Sequence, residues 1–195
     1  MGIASLPLEI QLILVPTIIF ALTFHEYAHA RVAYLLGDYT SYYQNRMNLN
    51  PFNHLDPFGT FALYFLGFGW AKPVPVLMQN LKNPKSDMMM IAMAGPASNM
   101  FLAMVASIIY RLNFYFQFSE EVIFPLEIFI QINIVLAIFN LLPLNPFDGS
   151  RILPLIVKNP RTLYNIEVYG PRVLIGLIIL NLIGIPILST IILTP

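Results

Sequence analysis

Phe24-His25-Glu26-Tyr27-Ala28-His29-Ala30 is the stretch from which the rest of the chain can be read. It has the form H-E-x-x-H. Histidines four residues apart lie just over one helical turn from each other, so a helix places both imidazoles on one face. Two imidazoles so placed can hold one zinc ion at roughly 2.0–2.1 Å each. Glu26 follows the first histidine directly, where its carboxylate reaches a water on the metal rather than the metal itself. The run before it, Leu12-Ile13-Leu14-Val15-Pro16-Thr17-Ile18-Ile19-Phe20-Ala21-Leu22, is almost wholly apolar. The spacing therefore implies metal-assisted hydrolysis on a segment buried in lipid.

Composition supports a membrane setting. Of 195 residues, 57% are hydrophobic and only 10% charged, against about 25% charged in a typical soluble domain. Mean hydropathy is +0.71. Ten Lys and Arg balance ten Asp and Glu, so no net charge points to a nucleic-acid partner. Cysteine is absent, which excludes disulfides and thiolate zinc sites and leaves nitrogen and oxygen as metal donors. The N-terminus lacks a basic region and a small-residue cleavage pattern, so a removable signal peptide is not expected. Residues 1–195 read as a single membrane-embedded domain without internal repeats.

Working outward, residues 8–36 are long enough to span a hydrocarbon core, which takes about 20 helical residues. Pro16 is a candidate kink. Residues 39–56 are polar, with Arg46 to Pro51 a candidate short strand. Residues 57–71 are apolar but short and carry Gly59, Gly67 and Gly69, so a re-entrant hairpin is expected there rather than a full span. Lys72-Pro73-Val74-Pro75-Val76 suits an edge strand, because its prolines cannot sit centrally in a sheet. Such an edge could receive an unwound substrate as an added strand; an interfacial turn is the plainer reading. Further spans are expected at about 88–110, 122–142 and 172–193, the last with Pro171 in its first turn. The fold class is an all-α multi-pass membrane protein: about four spanning helices plus a re-entrant hairpin with short β-strands.

Orientation follows from the basic loops. Lys72, Lys82 and Lys85 precede the second span, and Arg151, Lys158, Arg161 and Arg172 follow the third. The loop between those spans has Arg111 against Glu120 and Glu121. The positive-inside rule then puts the loop around Asp148 in the cytosol. His25 and His29 share its depth if the first span also runs inward and residues 57–71 re-enter. The active site is thus expected nearer the cytosolic side of a cell membrane, with water reaching it through the irregular backbone around Asp148.

Ionisable residues on a membrane segment are costly and mark function by default. His25 and His29 are the candidate zinc ligands and Glu26 the candidate catalytic base, taking a proton as water attacks a carbonyl and passing it to the leaving amine. A catalytic zinc usually needs a third protein ligand. The candidates are His54, Asp56, Asp87, Asp148 and scattered glutamates. Asp148 is the best of them, since two prolines break the helix before it and Gly149 permits a close approach. A plain Asp-Gly turn is the alternative.

Two stretches carry a family resemblance: His25-Glu26-Tyr27-Ala28-His29, and Asn140 to Gly149 with its N-P-x-D-G ending at Asn145 to Gly149. The chain resembles the site-2 proteases, peptidase family M50, in their short single-domain form. Gly69 to Val76 and Ala94-Gly95-Pro96-Ala97-Ser98-Asn99 resemble stretches of the same branch. The resemblance covers nearly the whole chain and implies one zinc ion per chain, with Asp148 as third ligand and Asn140 orienting substrate or steadying the oxyanion. It implies cleavage of membrane proteins in or near their transmembrane segments, with no PDZ or CBS domain to regulate it. Asn99 more simply reads as helix packing, and His54 as a structural loop histidine.

The expected activity is thus that of a zinc-dependent intramembrane endopeptidase. The competing reading is a transporter or channel with a His/Asp proton or metal relay. It accounts for buried ionisable groups but not for Glu26 beside histidines at ligand spacing. An inactive scaffold is disfavoured because the ligand positions and the base are all present.

Overall fold

The computed structural model describes residues 2–182. Seven α-helices are described: α1 (Leu8–Leu35), α2 (Thr40–Tyr43), α3 (Pro57–Leu66), α4 (Pro84–Phe116), α5 (Glu120–Asn140), α6 (Leu153–Ile156) and α7 (Pro160–Leu182). Among the described residues, α1, α4 and α5 are long and apolar enough to cross a membrane. At 1.5 Å per residue each exceeds about 30 Å, the thickness of the hydrocarbon core.

These helices bury small and polar residues and present large apolar ones outward. The buried stripe of α1 is Thr17, Ala21, Thr23, His25, Glu26, His29, Ala30 and Ala33. That of α4 includes Ala92, Gly95, Pro96, Asn99, Ala103 and Ala106. Leu8, Leu12, Phe20, Met100, Phe101, Met104 and Ile108 are exposed. In lipid no hydrophobic drive pulls helices together, so small residues that allow close backbones line the contacts. Ladders of contacts fix the directions. Ala21 and His25 of α1 lie level with Asn99 of α4, and His29 with Ile91. Asn99 is level with Asn133 of α5, and the Phe20 ring of α1 lies 6.0 Å from that of Phe129 on α5, so Phe129 and Asn133 follow Phe20 and His25 in the same order. Hence α1 and α5 run one way and α4 the other.

The excursion between α1 and α4 returns to where it began. Asp56 caps α3 by accepting from the Gly59 N–H at 2.7 Å. At the far end Tyr64 donates to Gln11 Oε1 at 2.6 Å, beside the start of α1. The chain then comes back, and the Lys72 N–H donates to the His54 carbonyl at 2.8 Å. The ten residues of α3 make about 15 Å of helix, too short to span.

The expected short β-strands are not found among the described residues. A single isolated bridge, Leu55 to Ala71, closes the excursion. Residues 46–50 bend irregularly into a 3-10 turn at Pro51–Asn53, and 72–77 form an irregular strap. Pro73 and Pro75 have no N–H, and side chains take what remains. Val74 N–H donates to Glu26, and Leu77 N–H to Asp38. Arg46 donates to the Lys72 and Pro73 carbonyls, and Ser41 to that of Pro75. Val76 keeps the one N–H of the strap without a partner among the described residues, so little backbone remains for strand addition.

The final helix also begins earlier than expected. Pro160, not Pro171, occupies its first turn, and Pro171 lies inside it. The remainder of the expected fourth span, residues 183–193, lies outside the described residues.

Candidate metal centre

Three side chains from separate parts of the chain converge. His25 Nε2 and His29 Nε2 lie 3.0 Å apart, and Asp148 Oδ2 lies 3.1 Å from the first and 3.2 Å from the second. Both histidines are buried, and the Asp148 side chain is 24% exposed. A triangle of this size is close to one face of a tetrahedron around an ion at ~2.0–2.1 Å from each donor, as zinc requires. The group is the one set of His and carboxylate donors among the described residues that could hold a metal ion.

The hydrogen bonds behind the imidazoles fix which nitrogen carries the proton. His29 Nδ1 donates to the Ile91 carbonyl at 2.6 Å. His25 Nδ1 lies 2.6 Å from Asn99 Oδ1. The Asn99 amide nitrogen must face the Ala21 carbonyl, 3.2 Å away, and Asn133 Oδ1, 2.9 Å away. Asn133 in turn donates to the Phe129 carbonyl. A backbone carbonyl at one end thus orients two amides, and the amides leave Nδ1 of His25 as a donor. Neutral imidazoles held this way aim two Nε2 lone pairs and a carboxylate oxygen at a common point. Without a cation such lone pairs repel; with one they are a ligand set backed by the usual outer partners.

Glycines make the approach possible. A Cβ on Gly95 would overlap the Nε2 atoms of both histidines. One on Gly149 would meet the Leu141 and Leu142 carbonyls where the Asp148 turn folds against the end of α5. Glu26 is buried beside the cluster but outside the donor triangle. Its Oε2 accepts from the Val74 N–H at 3.1 Å.

The other sequence candidates are placed elsewhere. His54 is fully buried in its own turn, with Nε2 donating to the Asn48 carbonyl. Asp56 caps α3, and Asp87 accepts from the Asn83 N–H at the start of α4. Asn140 donates one amide proton to the Leu136 carbonyl and is not hydrogen-bonded to the cluster. Asn99 is more than the packing residue expected, since it holds His25. Its signal was present as an amide four residues after Gly95, on the face that glycine marks as close-packed. Asn133 and the Ile91 carbonyl had no comparable local signal.

The family model described as Peptidase family M50 matches residues 117–183, which carry Asp148. Over 153 residues the chain is 44% identical to "Putative zinc metalloprotease YwhC" of Bacillus subtilis (strain 168), covering 75% of this chain and 70% of that relative. No solved structure matches the chain. The H-E-x-x-H helix, the converging aspartate and this relative agree: the chain belongs to peptidase family M50, and it is an intramembrane zinc protease.

Proposed function

We propose that His25, His29 and Asp148 hold the zinc ion and that Glu26 is the general base. The observation that carries this assignment is the meeting of two Nε2 lone pairs and one carboxylate oxygen within 3.2 Å, with both Nδ1 protons already spent. Zinc supplies a Lewis acid that polarises the scissile carbonyl and makes water nucleophilic near neutral pH. Glu26 Oε2 is held by Val74, which leaves Oε1 to take the proton from the attacking water. The same carboxyl then delivers that proton to the leaving amine. Asn140 keeps one amide proton after its bond to Leu136 and is the proposed donor to the developing oxyanion.

The substrate is a membrane protein cut in or near a transmembrane segment, since His25, Glu26 and His29 lie on α1 among spanning helices. The membrane is the cell membrane, and the site opens to the cytosol. The basic residues of the stretches before α4 and after α5, Lys82, Lys85, Arg151 and Lys158, support that side. No observation favours a relay: His25, Glu26, His29 and Asp148 gather at one level rather than being strung across the bilayer. Cleavage of a fluorogenic transmembrane peptide in proteoliposomes tests the proposal. Chelation should abolish it and added zinc restore it; cleavage indifferent to chelation would refute it.

A further inference from the structure

The strap that crosses Glu26 is held by one buried cation. Arg46 is 7% exposed and sits in a turn with no acidic hydrogen-bond partner. Its Nη2 donates to the Lys72 carbonyl at 2.7 Å and to the Pro73 carbonyl at 3.3 Å. The next N–H along the chain is that of Val74, which donates to Glu26. Neighbouring anchors fix the remainder: Ser41 holds the Pro75 carbonyl at 2.6 Å, and Asp38 holds the Leu77 N–H at 2.8 Å. The two prolines flanking Val74 each fix their own φ, so the position of that single N–H follows closely from where Lys72 and Pro73 are held.

Burying a guanidinium is expensive, and pairing and hydrogen bonds are what offset the cost. Burial pushes the Arg46 guanidinium below its ordinary range, and the Glu26 carboxylate opposes that shift. Arg46 and Glu26 attract each other, and both are hydrogen-bonded to the same short stretch of strap. Two of the chain's most costly side chains are joined through three residues of backbone.

We infer that Arg46 is a positioning residue for Glu26: by clamping the Lys72 and Pro73 carbonyls it aims the Val74 N–H at Glu26 Oε2 and so fixes the base's rotamer. This rests on the assignment of Glu26 as base. Arg46 is not hydrogen-bonded to His25, His29 or Asp148. One guanidinium nitrogen, Nη2, serves both carbonyls, and Nε is buried without a partner among the described residues; a lysine ammonium offers the charge and donors from a single point on a differently shaped stem. A base displaced by a fraction of an ångström loses much of its effect, because misplacement of about 1 Å can cost on the order of a hundredfold in rate.

The test compares wild type, R46Q, R46K and V74P, each reconstituted in nanodiscs. V74P deletes the N–H between residues that are already prolines. Three quantities are read: zinc per chain, kcat and KM on a fluorogenic transmembrane peptide, and the exchange rate of the Val74 amide (in the three variants that have it). The expected result is unchanged zinc, a kcat lowered on the order of ten- to a hundredfold in R46Q and V74P with KM within about twofold, and partial recovery in R46K. The Val74 amide should exchange about tenfold faster in R46Q, as loss of one hydrogen bond implies. A raised KM at unchanged kcat would make the strap a substrate contact and overturn the inference. A raised kcat would make it a barrier, with the same consequence. If R46Q loses zinc through misfolding, R46K decides on all three readouts: wild-type kcat together with wild-type Val74 exchange in R46K would leave only the charge at work and overturn the inference. Failure of the peptidase assignment is separately visible, as a wild type that binds no zinc or cleaves nothing, and an unchanged Val74 exchange in R46Q would sink the inference alone.

Discussion

Asn99 Oδ1 lies 2.6 Å from His25 Nδ1, and both residues are buried where α1 crosses α4. Through this contact the packing of two membrane helices sets the tautomer of an imidazole at the candidate metal centre. Asn99→Ala should lower zinc affinity about 10–100-fold, the usual effect of losing an outer partner of a ligating histidine. Asn133→Ala, one step further back, should lower it less. Chelator competition measures both; equal affinities in Asn99→Ala and wild type would detach Asn99 from the site.

Gly95→Ala puts a methyl where the two Nε2 atoms meet. Either the helices part or the ring positions shift, and the protein should lose most of its zinc while remaining membrane-inserted. Metal content alongside a helical circular dichroism spectrum checks this. Full zinc occupancy in Gly95→Ala would show that the interhelical contact is looser than described.

Glu26→Gln keeps the size of the side chain and an acceptor for the Val74 N–H but removes the proposed base. Turnover should fall by about 10²–10⁴-fold, the range typical of general acid–base groups. Zinc content should stay at the wild-type level, since Glu26 stands outside the donor triangle. Full activity in Glu26→Gln would remove its assigned role.

Asp38 lies just past the end of α1 and organises the far end of the strap. Burial pushes its carboxyl up, but hydrogen bonds from Thr40, Asn80 and Leu77 outweigh this and hold it below the usual range. A carboxyl lowered in the folded state stabilises the fold above its unfolded pKa of about 3.9. That contribution is lost as pH falls through the folded value. The melting temperature of wild type should therefore exceed that of Asp38→Asn by a constant margin above about pH 5, and the margin should shrink below about pH 4. Loss of bonds to a charged group gives a margin of about 1–3 kcal/mol. A margin that does not vary with pH would show that the charge contributes nothing.

The metal motifs were legible because each is local. A spacing of four puts His25 and His29 on one helix face, and the proline-broken stretch before Asp148 shows a backbone free to turn. The spans were legible wherever apolar residues run long enough. The start of α7 was not, because Arg161, Thr162, Asn165 and Glu167 interrupt the apolar residues between 160 and 171: a hydropathy reading finds the lipid-facing part of a helix and misses its mixed turns. The strap was misread as strand. Alternating Pro and Val fits an extended chain, but a strand needs a partner, and here the partners are side chains of Asp38, Ser41 and Arg46 together with Glu26. Asn99 and Asn133 are 34 residues apart, and nothing in either neighbourhood announces that they bond.

Quantitative metal analysis of wild type beside Asp148→Ala tests the central claim most directly. Asp148 reaches the histidines from beyond the end of α5, so its loss should leave the helices in place and take away one ligand of three. Wild type should carry about one zinc per chain after gel filtration without added metal, and Asp148→Ala only a small fraction of that. Equal zinc in both proteins, or none in wild type prepared with zinc present, would contradict a metal centre built from His25, His29 and Asp148.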